Sequence, residues 1–354
     1  MRKPDCGQGI LRDTLARRLR ALRPRPSRVL VVLDPGAAEV ASPRIHRALA
    51  DAGLEGTFLR APRGEARKTL DEVGKVASRM VRAGADRRSF VLAVGGGVCS
   101  DMAGFAAAST LRGLRWGAVA TTLLAMVDAA VGGKTAVNLP EGKNLFGAFH
   151  FPEFIVADTA LLATLPAREW RAGRGELVKT AMLAGGVMWR GLAAAPKGSL
   201  GRRGKVLTGL ARQAATYKAG VVARDPREGD ERKLLNLGHT FGHALETAAG
   251  PRRLRHGEAV ALGILCALRA SAEHGMCAPD AEEEMRALYR RHDLPTAMPG
   301  PLPSAATLRR LMLRDKKADD GRLELVLPLA PGHAALVQGV DAAEAVAVIR
   351  HTLG

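Results

Sequence analysis

The chain is poor in aromatic residues, which make up 4% of its 354 residues. A protein that stacks single-stranded nucleic acid on aromatic rings needs more of them. Nucleic acid binding is therefore a weak explanation of the net charge of +18, although seven arginines lie between Arg12 and Arg28, both included. Arginines recur along the whole chain, which favours a solvated basic surface. We expect no nucleic acid partner, and this charge suits anionic, phosphorylated small molecules.

Long hydrophobic runs and paired cysteines are also lacking. Asp101, Arg112 and Asp128 interrupt the apolar stretches between residues 90 and 127 before about 20 residues accumulate, which argues against a membrane span. No apolar leader is evident near the N-terminus, so we expect no secretory signal. The four cysteines have neither zinc nor redox spacing: Cys6, Cys99, Cys266 and Cys277. We therefore expect reduced thiols, a cytoplasmic location and no membrane partner.

The first half of the chain alternates strand patterns with helix patterns. Strands are predicted at 28–33, 56–59, 89–94, 117–120 and 154–157, with helices at 43–53 and 69–83. Strands separated by helices indicate βαβ units and a parallel sheet. The sequence therefore predicts a Rossmann-like α/β domain over residues 1–165.

Long helical patterns dominate the second half. Helices are predicted at 169–184, 206–223, 233–249, 258–274 and 281–291, followed by a strand or hairpin at 323–329. We predict a mainly α-helical domain over residues 166–354. Because ligands bind preferentially where domains meet, we expect the active site in the cleft between the two domains.

Three glycines at 95–97 follow a strand and precede a helix. Glycine lets the backbone approach a pyrophosphate, and a helix N-terminus favours its negative charge. The spacing is not that of the dinucleotide-binding GxGxxG pattern, so a tight strand-to-helix turn explains these glycines equally well.

A second glycine-rich stretch groups Asp128, Lys134, Lys143 and Asn144. It superficially resembles a phosphate loop, but Asp128 stands where the first glycine of that loop belongs, so the match fails. The two lysines can still hold phosphate or carboxylate as point charges.

Three of the nine histidines lie close together in sequence, at His239, His243 and His256. His239 and His243 are four residues apart and share one face of a predicted helix. Imidazole and carboxylate are the ligands of metals that keep a coordination position open for chemistry. The spacing by itself suggests that His239 and His243 bind a metal, with Glu176 or Glu258 completing the site.

Many ordered segments resemble one family: 94–105, 121–134, 142–148, 164–166, 176–179, 236–243, 256–258 and 315–317. From about residue 7 to the C-terminus the chain is similar to the 3-dehydroquinate synthases, which are sugar-phosphate cyclases. The resemblance implies an NAD- and divalent-metal-dependent lyase that converts 3-deoxy-D-arabino-heptulosonate 7-phosphate into 3-dehydroquinate and phosphate in the shikimate pathway. The implied steps are oxidation by NAD⁺, elimination of phosphate, reduction by NADH and an intramolecular aldol closure. A homodimer is also implied.

The resemblance implies that Glu176, His239 and His256 hold the metal, Zn²⁺ or Co²⁺, and that His243 is a substrate-side residue. The other residues implied at the substrate or in proton transfer are Lys134, Asn144, Lys179, Lys218, Glu228, Arg232, Asn236 and one of Lys316 and Lys317, of which we favour Lys316. Arg112 is implied to reach the substrate phosphate across a dimer interface.

The resemblance also implies an NAD site. Its implied residues are Asp34, Glu65, Lys68, Gly97, Val98, Cys99, Ser100, Asp101, Thr121, Thr122, Lys134, Lys143, Leu161 and Thr164. Among these, Asp34 is expected at the adenosine ribose, and Asp128 is implied to contact both cofactor and substrate. The sequence departs from the family in one respect: the first strand that the family usually has is barely present before Gly7 in this chain. Either the sheet loses an edge strand, or the start of the protein lies further upstream.

Other functions compete with this one. Arg232, Asn236 and His243 match the dehydroquinate type better than valiolone-type or deoxyinosose synthases, while an aminodehydroquinate synthase stays open. A glycerol-dehydrogenase-like oxidoreductase would not need so many groups for phosphate and carboxylate. Outside the enzymes, a nucleic-acid-binding protein would show steep salt-dependent retention on DNA.

Overall fold

The computed structural model describes residues 3–201, 205–250, 252–313 and 322–354. It divides into two compact units. The first unit runs to Leu165 and also takes Lys218–Ala223, and the second comprises Pro166–Tyr217 and Arg224–Gly354.

The first unit is built on a parallel sheet. Its strands are β1 (Asp5–Gly7), β2 (Val29–Leu33), β3 (Gly56–Arg60), β4 (Phe90–Gly95), β5 (Arg115–Ala120), β6 (Lys134–Leu139), β7 (Gly142–Phe149) and β8 (Ile155–Asp158). Six of them pair in parallel in the order β1-β8-β5-β4-β2-β3. The predicted Rossmann-like α/β domain is confirmed, and β1 shows that the edge strand is kept, although it has three residues. The chain order reverses between β2 and β4, where such sheets bind ligands.

Helices cover both faces of this sheet. They are α1 (Leu11–Arg20), α2 (Ala38–Asp51), α3 (Leu70–Arg82) and α4 (Gly97–Ser109), with 3-10 turns at Glu65–Arg67, Thr110–Arg112 and Thr159–Thr164 and a π turn at Ala125–Ala129. Val29 and Val31 share one core cluster with α1 and α2, whereas the alternate residues Leu30 and Val32 are buried outside that cluster. Because alternate residues of a strand point to opposite faces, both faces are covered, which explains the uninterrupted apolar strands.

Two features of this unit differ from the sequence prediction. The helix expected to begin at Pro43 begins at Ala38, with the proline inside it. Proline has no N–H, so the bond that its position would donate to the Glu39 carbonyl is lost, yet the helix continues. The glycine-rich stretch after Gly133 was not predicted as strands, but it forms the antiparallel hairpin β6–β7.

The second unit is mainly helical, as predicted. Its elements are α5 (Ala167–Ala184), α6 (Gly186–Ala193), α7 (Lys205–Arg224), α8 (His239–Ala249), α9 (His256–Glu273), α10 (Ala281–Arg291), α11 (Ala305–Leu313), β9 (Arg322–Ala330), β10 (His333–Asp341) and α12 (Ala342–Leu353). Residues Lys218–Ala223 of α7 belong to the first unit. Helix α9 is buried along most of its length and packs against α5, α8, α10, α12 and β9. The strand or hairpin predicted at 323–329 is the single strand β9, which pairs antiparallel with β10.

One helix of this unit is shorter than predicted. The pattern at 233–249 is divided into a 3-10 turn, Glu231–Asn236, and α8, which begins at His239. Gly238 between them has φ +76°, a left-handed conformation that ends one segment and starts the next. Among the described residues, no helix has both the length and the apolar character needed to span a membrane.

Candidate active site

Glu176, His239 and His256 meet in the second unit. Their potential ligand atoms all lie within 4.8 Å of one another, and among the described residues they form the group with metal-site geometry. Glu176 Oε1 lies 3.3 Å from His256 Nε2 and 3.7 Å from His239 Nε2. Ligand atoms about 2.1 Å from one zinc ion stand roughly 3.4 Å apart in a tetrahedral set. The three side chains are therefore spaced as the ligands of a single ion would be.

A glycine stands beside each of these three residues in the sequence. A Cβ on Gly175 would lie 1.9 Å from the Gly257 carbonyl oxygen, and one on Gly257 would lie 1.8 Å from the Ala172 carbonyl oxygen. Helices α5 and α9 thus cross with their backbones in contact, next to Glu176 and His256. A similar contact joins α8 to α9, where a Cβ on Gly263 would lie 2.0 Å from the Gly238 carbonyl oxygen.

Both imidazoles are oriented through their second nitrogen. His239 Nδ1 lies 3.2 Å from the Leu237 carbonyl oxygen, and His256 Nδ1 lies 3.1 Å from Glu246 Oε2. An acceptor at Nδ1 fixes the proton there and leaves the Nε2 lone pair for a metal. Burial lowers the pKa of His256, but hydrogen bonds and charge from Glu176 and Glu246 together raise it to about 10.

Glu246 was missed by the sequence analysis. It lies seven residues after His239 and three after His243, on the same face of α8, and its side chain is buried. That spacing was a signal for it, because residues at i, i+4 and i+7 line one helix face.

Lys179 lies one turn after Glu176 on α5. Its Nζ is 2.5 Å from Glu176 Oε2, and the side chain is 2% exposed. An ammonium in this position offsets the charge of the buried carboxylate.

The other carboxylate considered for the metal, Glu258, has a different partner. Its Oε1 accepts a hydrogen bond of 2.9 Å from Arg171 Nε, and its Oε2 accepts one from the Arg255 backbone N–H at the start of α9. The suggestion that Glu258 completes the metal site is therefore wrong, because its carboxylate is used in a helix cap and an ion pair.

His243 lies beside the three-residue group without belonging to it. Its ring centroid is 5.2 Å from that of His239 and 5.8 Å from that of His256. The suggestion from spacing alone, with His239 and His243 as a ligand pair, is not what the geometry favours, because His256 supplies the second imidazole. That imidazole, His256, lies at the start of a different helix, α9.

The polar segment before α8 folds on itself. Asn236 Nδ2 donates to Glu228 Oε1 over 2.9 Å, and Glu228 has φ +63°. Arg232 is buried and donates to the Pro226 carbonyl, while the Asp225 carboxylate accepts its backbone N–H. Lys316 and Lys317 lie outside the described residues.

In the first unit, the glycines at 95–97 form a strand-to-helix turn between β4 and α4. A Cβ on Gly95 would lie 2.5 Å from the Cys99 Cβ, and one on Gly96 would lie 2.9 Å from Thr122 Cγ2. Close packing therefore requires glycine here, whatever binds at the turn. The Asp34 backbone N–H donates a hydrogen bond to the Val94 carbonyl oxygen, which places Asp34 at the end of β2, next to β4.

The charged residues expected at NAD form one network with Asn144, which is expected at the substrate. Lys68 is buried, and its Nζ contacts Asn144 Oδ1 and lies 2.5 Å from Asp101 Oδ2. Burial raises the pKa of Asp101 to about 6, against the opposing effect of Lys68. Asn138, which the sequence analysis missed, donates to Glu65 Oε1 over 2.7 Å. The turn residues 140–142 were the only sequence signal that the Asn138 side chain contacts the Asn144 backbone.

Two expected NAD residues turn their side chains into the core. Leu161 is 2% exposed and belongs to the hydrophobic cluster of the sheet. The Cys99 thiol is buried against the Val32 carbonyl, and burial raises its pKa.

The remaining expected residues are placed as follows. Lys218 Nζ is 2.6 Å from Asp128 Oδ1 within the first unit. Val98 is half-buried, and Ser100 and Thr121 are buried. The Thr122 hydroxyl accepts a hydrogen bond from the Ala125 backbone N–H. Thr164 is the last residue of the 3-10 turn that follows β8. Lys134, Lys143 and Arg112 are exposed. Arg112 and Leu111 have positive φ values, 66° and 51°.

The family models and the relatives of known name agree on one family. The models for "3-dehydroquinate synthase N-terminal" and "3-dehydroquinate synthase C-terminal" match residues 58–172 and 173–318. The 3-dehydroquinate synthase of Paracoccus denitrificans is 42% identical over 90% of this chain and 88% of its own. The 3-dehydroquinate synthase of Xylella fastidiosa is 41% identical over 95% of this chain and 92% of its own.

Solved structures of two other cyclases are also similar. 2-Epi-5-epi-valiolone synthase from Streptomyces hygroscopicus, with NAD⁺ and Zn²⁺ bound, has a TM-score of 0.84 and 28% identity, covering 94% of this chain and 92% of its own. 2-Deoxy-scyllo-inosose synthase, complexed with carbaglucose-6-phosphate, NAD⁺ and Co²⁺, has a TM-score of 0.83 and 27% identity, covering 99% and 96%. With both halves matched by the family models and relatives above 40% identity, the chain belongs to the 3-dehydroquinate synthase family.

Proposed function

We propose that this chain converts 3-deoxy-D-arabino-heptulosonate 7-phosphate into 3-dehydroquinate and phosphate, with NAD and one divalent metal as cofactors. The relatives that carry this name are 41–47% identical, whereas the solved valiolone and inosose cyclases are 27–28% identical. The observation that carries the proposal is the group of Glu176, His239 and His256, with both Nε2 atoms close to one carboxylate.

The donor set fits a divalent metal. One carboxylate and two imidazoles leave a coordination position for substrate, as in catalytic zinc sites, and both imidazoles have acceptors at Nδ1. Glu176, His239 and His256 would hold the ion, which we expect to be Zn²⁺ or Co²⁺. When bound, such a metal orients substrate hydroxyls and favours their deprotonation.

The first unit fits a dinucleotide. Gly97 begins α4 at the carboxyl end of β4, beside the end of β2 where the strand order reverses. This is the position at which a helix N-terminus receives a pyrophosphate in such sheets. Bound NAD supplies the transient oxidation and reduction. Asp34, the turn at 95–101 and the Glu65–Lys68 segment would bind it.

The polar side chains of the second unit then bind and orient the substrate. The Arg232 guanidinium and the Lys179 ammonium suit its carboxylate and phosphate. The His243 ring, beside both ligand imidazoles, is proposed to move a proton at a ring nitrogen. Holding an open-chain intermediate in one geometry promotes its closure to the carbocycle.

We also propose a homodimer that shares its site through Arg112. Strand β7 is largely exposed and presents Phe146 and Phe149, which are 43% and 48% exposed. Large apolar side chains on an edge strand suit a protein partner more than water. The cytoplasmic location and the cleft between the domains stay predictions.

The test is a reconstitution assay with purified protein, NAD⁺, Zn²⁺ or Co²⁺ and the heptulosonate phosphate. Release of inorganic phosphate and a carbocyclic product in equal amounts is expected, with loss of both on chelation. The amino analogue of the substrate, glucose 6-phosphate and sedoheptulose 7-phosphate are assayed in parallel. A higher kcat/KM with any of them would assign the chain to another cyclase type.

A further inference from the structure

The amide of Asn138 lies at an irregularity in the β6–β7 hairpin. The ladder pairs Val137 with Phe146 and then Leu139 with Gly142, so the register shifts at Asn138. Its backbone N–H bonds the Lys68 carbonyl oxygen at 2.9 Å instead of continuing the ladder. Such irregularities re-aim a side chain, and here the amide is turned towards the segment that contains Glu65 and Lys68.

Both ends of this amide are used. Asn138 Nδ2 donates to Glu65 Oε1 over 2.7 Å, and Asn138 Oδ1 accepts the Asn144 backbone N–H over 3.0 Å. One partner is an acceptor and the other a donor, so the orientation of the amide is determined by its neighbours.

The contacts close into a ring through Lys68. The buried Lys68 ammonium bonds Asn144 Oδ1, while the Lys68 carbonyl accepts the Asn138 N–H. Asn144 has φ +56°, a left-handed conformation that asparagine adopts more readily than most residues with a Cβ. The hydrogen bond from its N–H to Asn138 Oδ1 ties this turn to the Asn138 side chain.

We propose that Asn138 is a positioning residue that holds Glu65 and Asn144 in one fixed arrangement. This inference rests on the proposed function, in which Glu65 and Lys68 bind NAD, and on the substrate role that the family resemblance implies for Asn144. Loss of the Asn138 amide should then weaken both the binding of NAD and the use of substrate, although Asn138 is assigned to neither ligand.

The test variant is Asn138→Asp, which keeps the shape of the side chain and an acceptor for the Asn144 N–H. It replaces the donor that faces Glu65 with a carboxylate oxygen, so two acceptors oppose each other. We expect the Kd of NAD and the KM of substrate each to rise about tenfold or more, as for a lost hydrogen bond to a charged group. Glu141→Gln, an exposed charge change on the same hairpin, should leave both within about twofold.

A reciprocal substitution separates this role from general loosening of the hairpin. In a Glu65→Gln background the side chain at 65 can donate, so Asn138→Asp restores a donor–acceptor pair. We expect its effect on NAD binding to shrink at least about fivefold relative to the same substitution in the wild-type background. Melting temperatures of all variants report on folding.

The outcomes are distinct. Wild-type chain that neither binds NAD nor releases phosphate overturns the proposed function and this role with it. An active wild type with an Asn138→Asp variant of unchanged NAD Kd and substrate KM overturns only the positioning role. An equal loss in both backgrounds also overturns it, because the loss would then be independent of Glu65.

Discussion

Single side chains around the metal group differ in which atoms they present. His239 and His256 point Nε2 at Glu176 and have an acceptor at Nδ1, whereas the neighbouring His243 is not part of the group with metal-site geometry. Two neighbouring histidines on one helix face therefore have different proposed roles. Sequence spacing alone treats them alike.

We predict that His239→Ala and His256→Ala each lose bound zinc together with activity, because each removes one of three ligands. His243→Ala should retain zinc and lose turnover by about 10²- to 10⁴-fold, the usual contribution of an acid–base group. Zinc per chain after dialysis, measured by atomic absorption, checks this. A His243→Ala protein as poor in zinc as His239→Ala would show that the ligand assignment is wrong.

The buried carboxylate of Asp101 gives a pH prediction. Its pKa is raised to about 6 by burial, with Lys68 opposing, whereas an unfolded aspartate has a pKa of about 3.9. Between these values the folded state holds more protons than the unfolded state, so the Asp101 contribution becomes less favourable as pH rises from about 4 to about 6.

Relative to Asp101→Asn, the wild type should therefore gain stability as the pH is lowered through that window, by roughly 2 kcal/mol. Urea unfolding of both proteins without cofactors at about pH 7 and about pH 4.5 measures the difference. A difference that is constant with pH would mean that Asp101 titrates as an exposed aspartate does.

At the scale of elements, the metal group depends on how closely three helices cross. Gly175 and Gly257 let α5 touch α9, and Gly238 and Gly263 let α8 touch α9. Helices with ordinary side chains at a crossing lie about 8–10 Å apart. Glycine at these contacts lets the ligand side chains of separate helices reach one another.

We predict that Gly257→Ala lowers both zinc affinity and stability. Its Cβ would lie 1.8 Å from the Ala172 carbonyl oxygen, so α5 and α9 must separate beside Glu176 and His256. Overpacking of this kind costs about 1–3 kcal/mol, and a loss of order tenfold in zinc affinity is typical of a disturbed ligand shell. Zinc titration and thermal unfolding measure the two effects.

Gly209→Ala in α7 is the matched control, because its Cβ would meet no described atom within 4 Å. Alanine in a helix interior is favoured over glycine by about 0.5–1 kcal/mol, so this variant should be slightly more stable and bind zinc as the wild type does. If both glycine variants behaved alike, close helix crossing would not be what sets the ligand spacing.

At the scale of the whole molecule, the strained and exposed turn at Leu111 and Arg112 suits a role beyond its own chain. Left-handed residues other than glycine and asparagine cost energy and concentrate at functional positions. In the proposed dimer, each Arg112 completes the site of the other subunit. That arrangement can be tested by mixing subunits.

Arg112→Ala and Glu176→Ala should each be nearly inactive alone. If Arg112 acts on the partner, a mixed dimer has one complete site, since the Glu176→Ala subunit supplies its arginine to the intact metal group of the other. Random reassociation of equal amounts makes half of the dimers mixed, so about a quarter of the wild-type activity should return. No recovery after demonstrated subunit exchange would place Arg112 at its own subunit's site.

The sequence determined the elements whose signals are local. Apolar runs predicted five of the six strands of the sheet, and glycines marked the turn between β4 and α4. The three-residue strand β1 has no apolar run and was not predicted. The hairpin β6–β7 and the break at Gly238 were missed, because exposed strands have weak patterns and a single glycine within a helical pattern is often tolerated. The ordered motifs were enough to indicate the family.

Only the tertiary structure decided which partners these residues meet. Glu246 reaches His256 because α8 and α9 cross at Gly263, and Asn138 reaches Glu65 because the hairpin changes register there. Glu258 carries the same carboxylate as Glu176 but caps a helix, since its position on α9 faces Arg171. Periodicity reports which face of an element is apolar, whereas contacts between residues far apart in sequence depend on how closely backbones can pack.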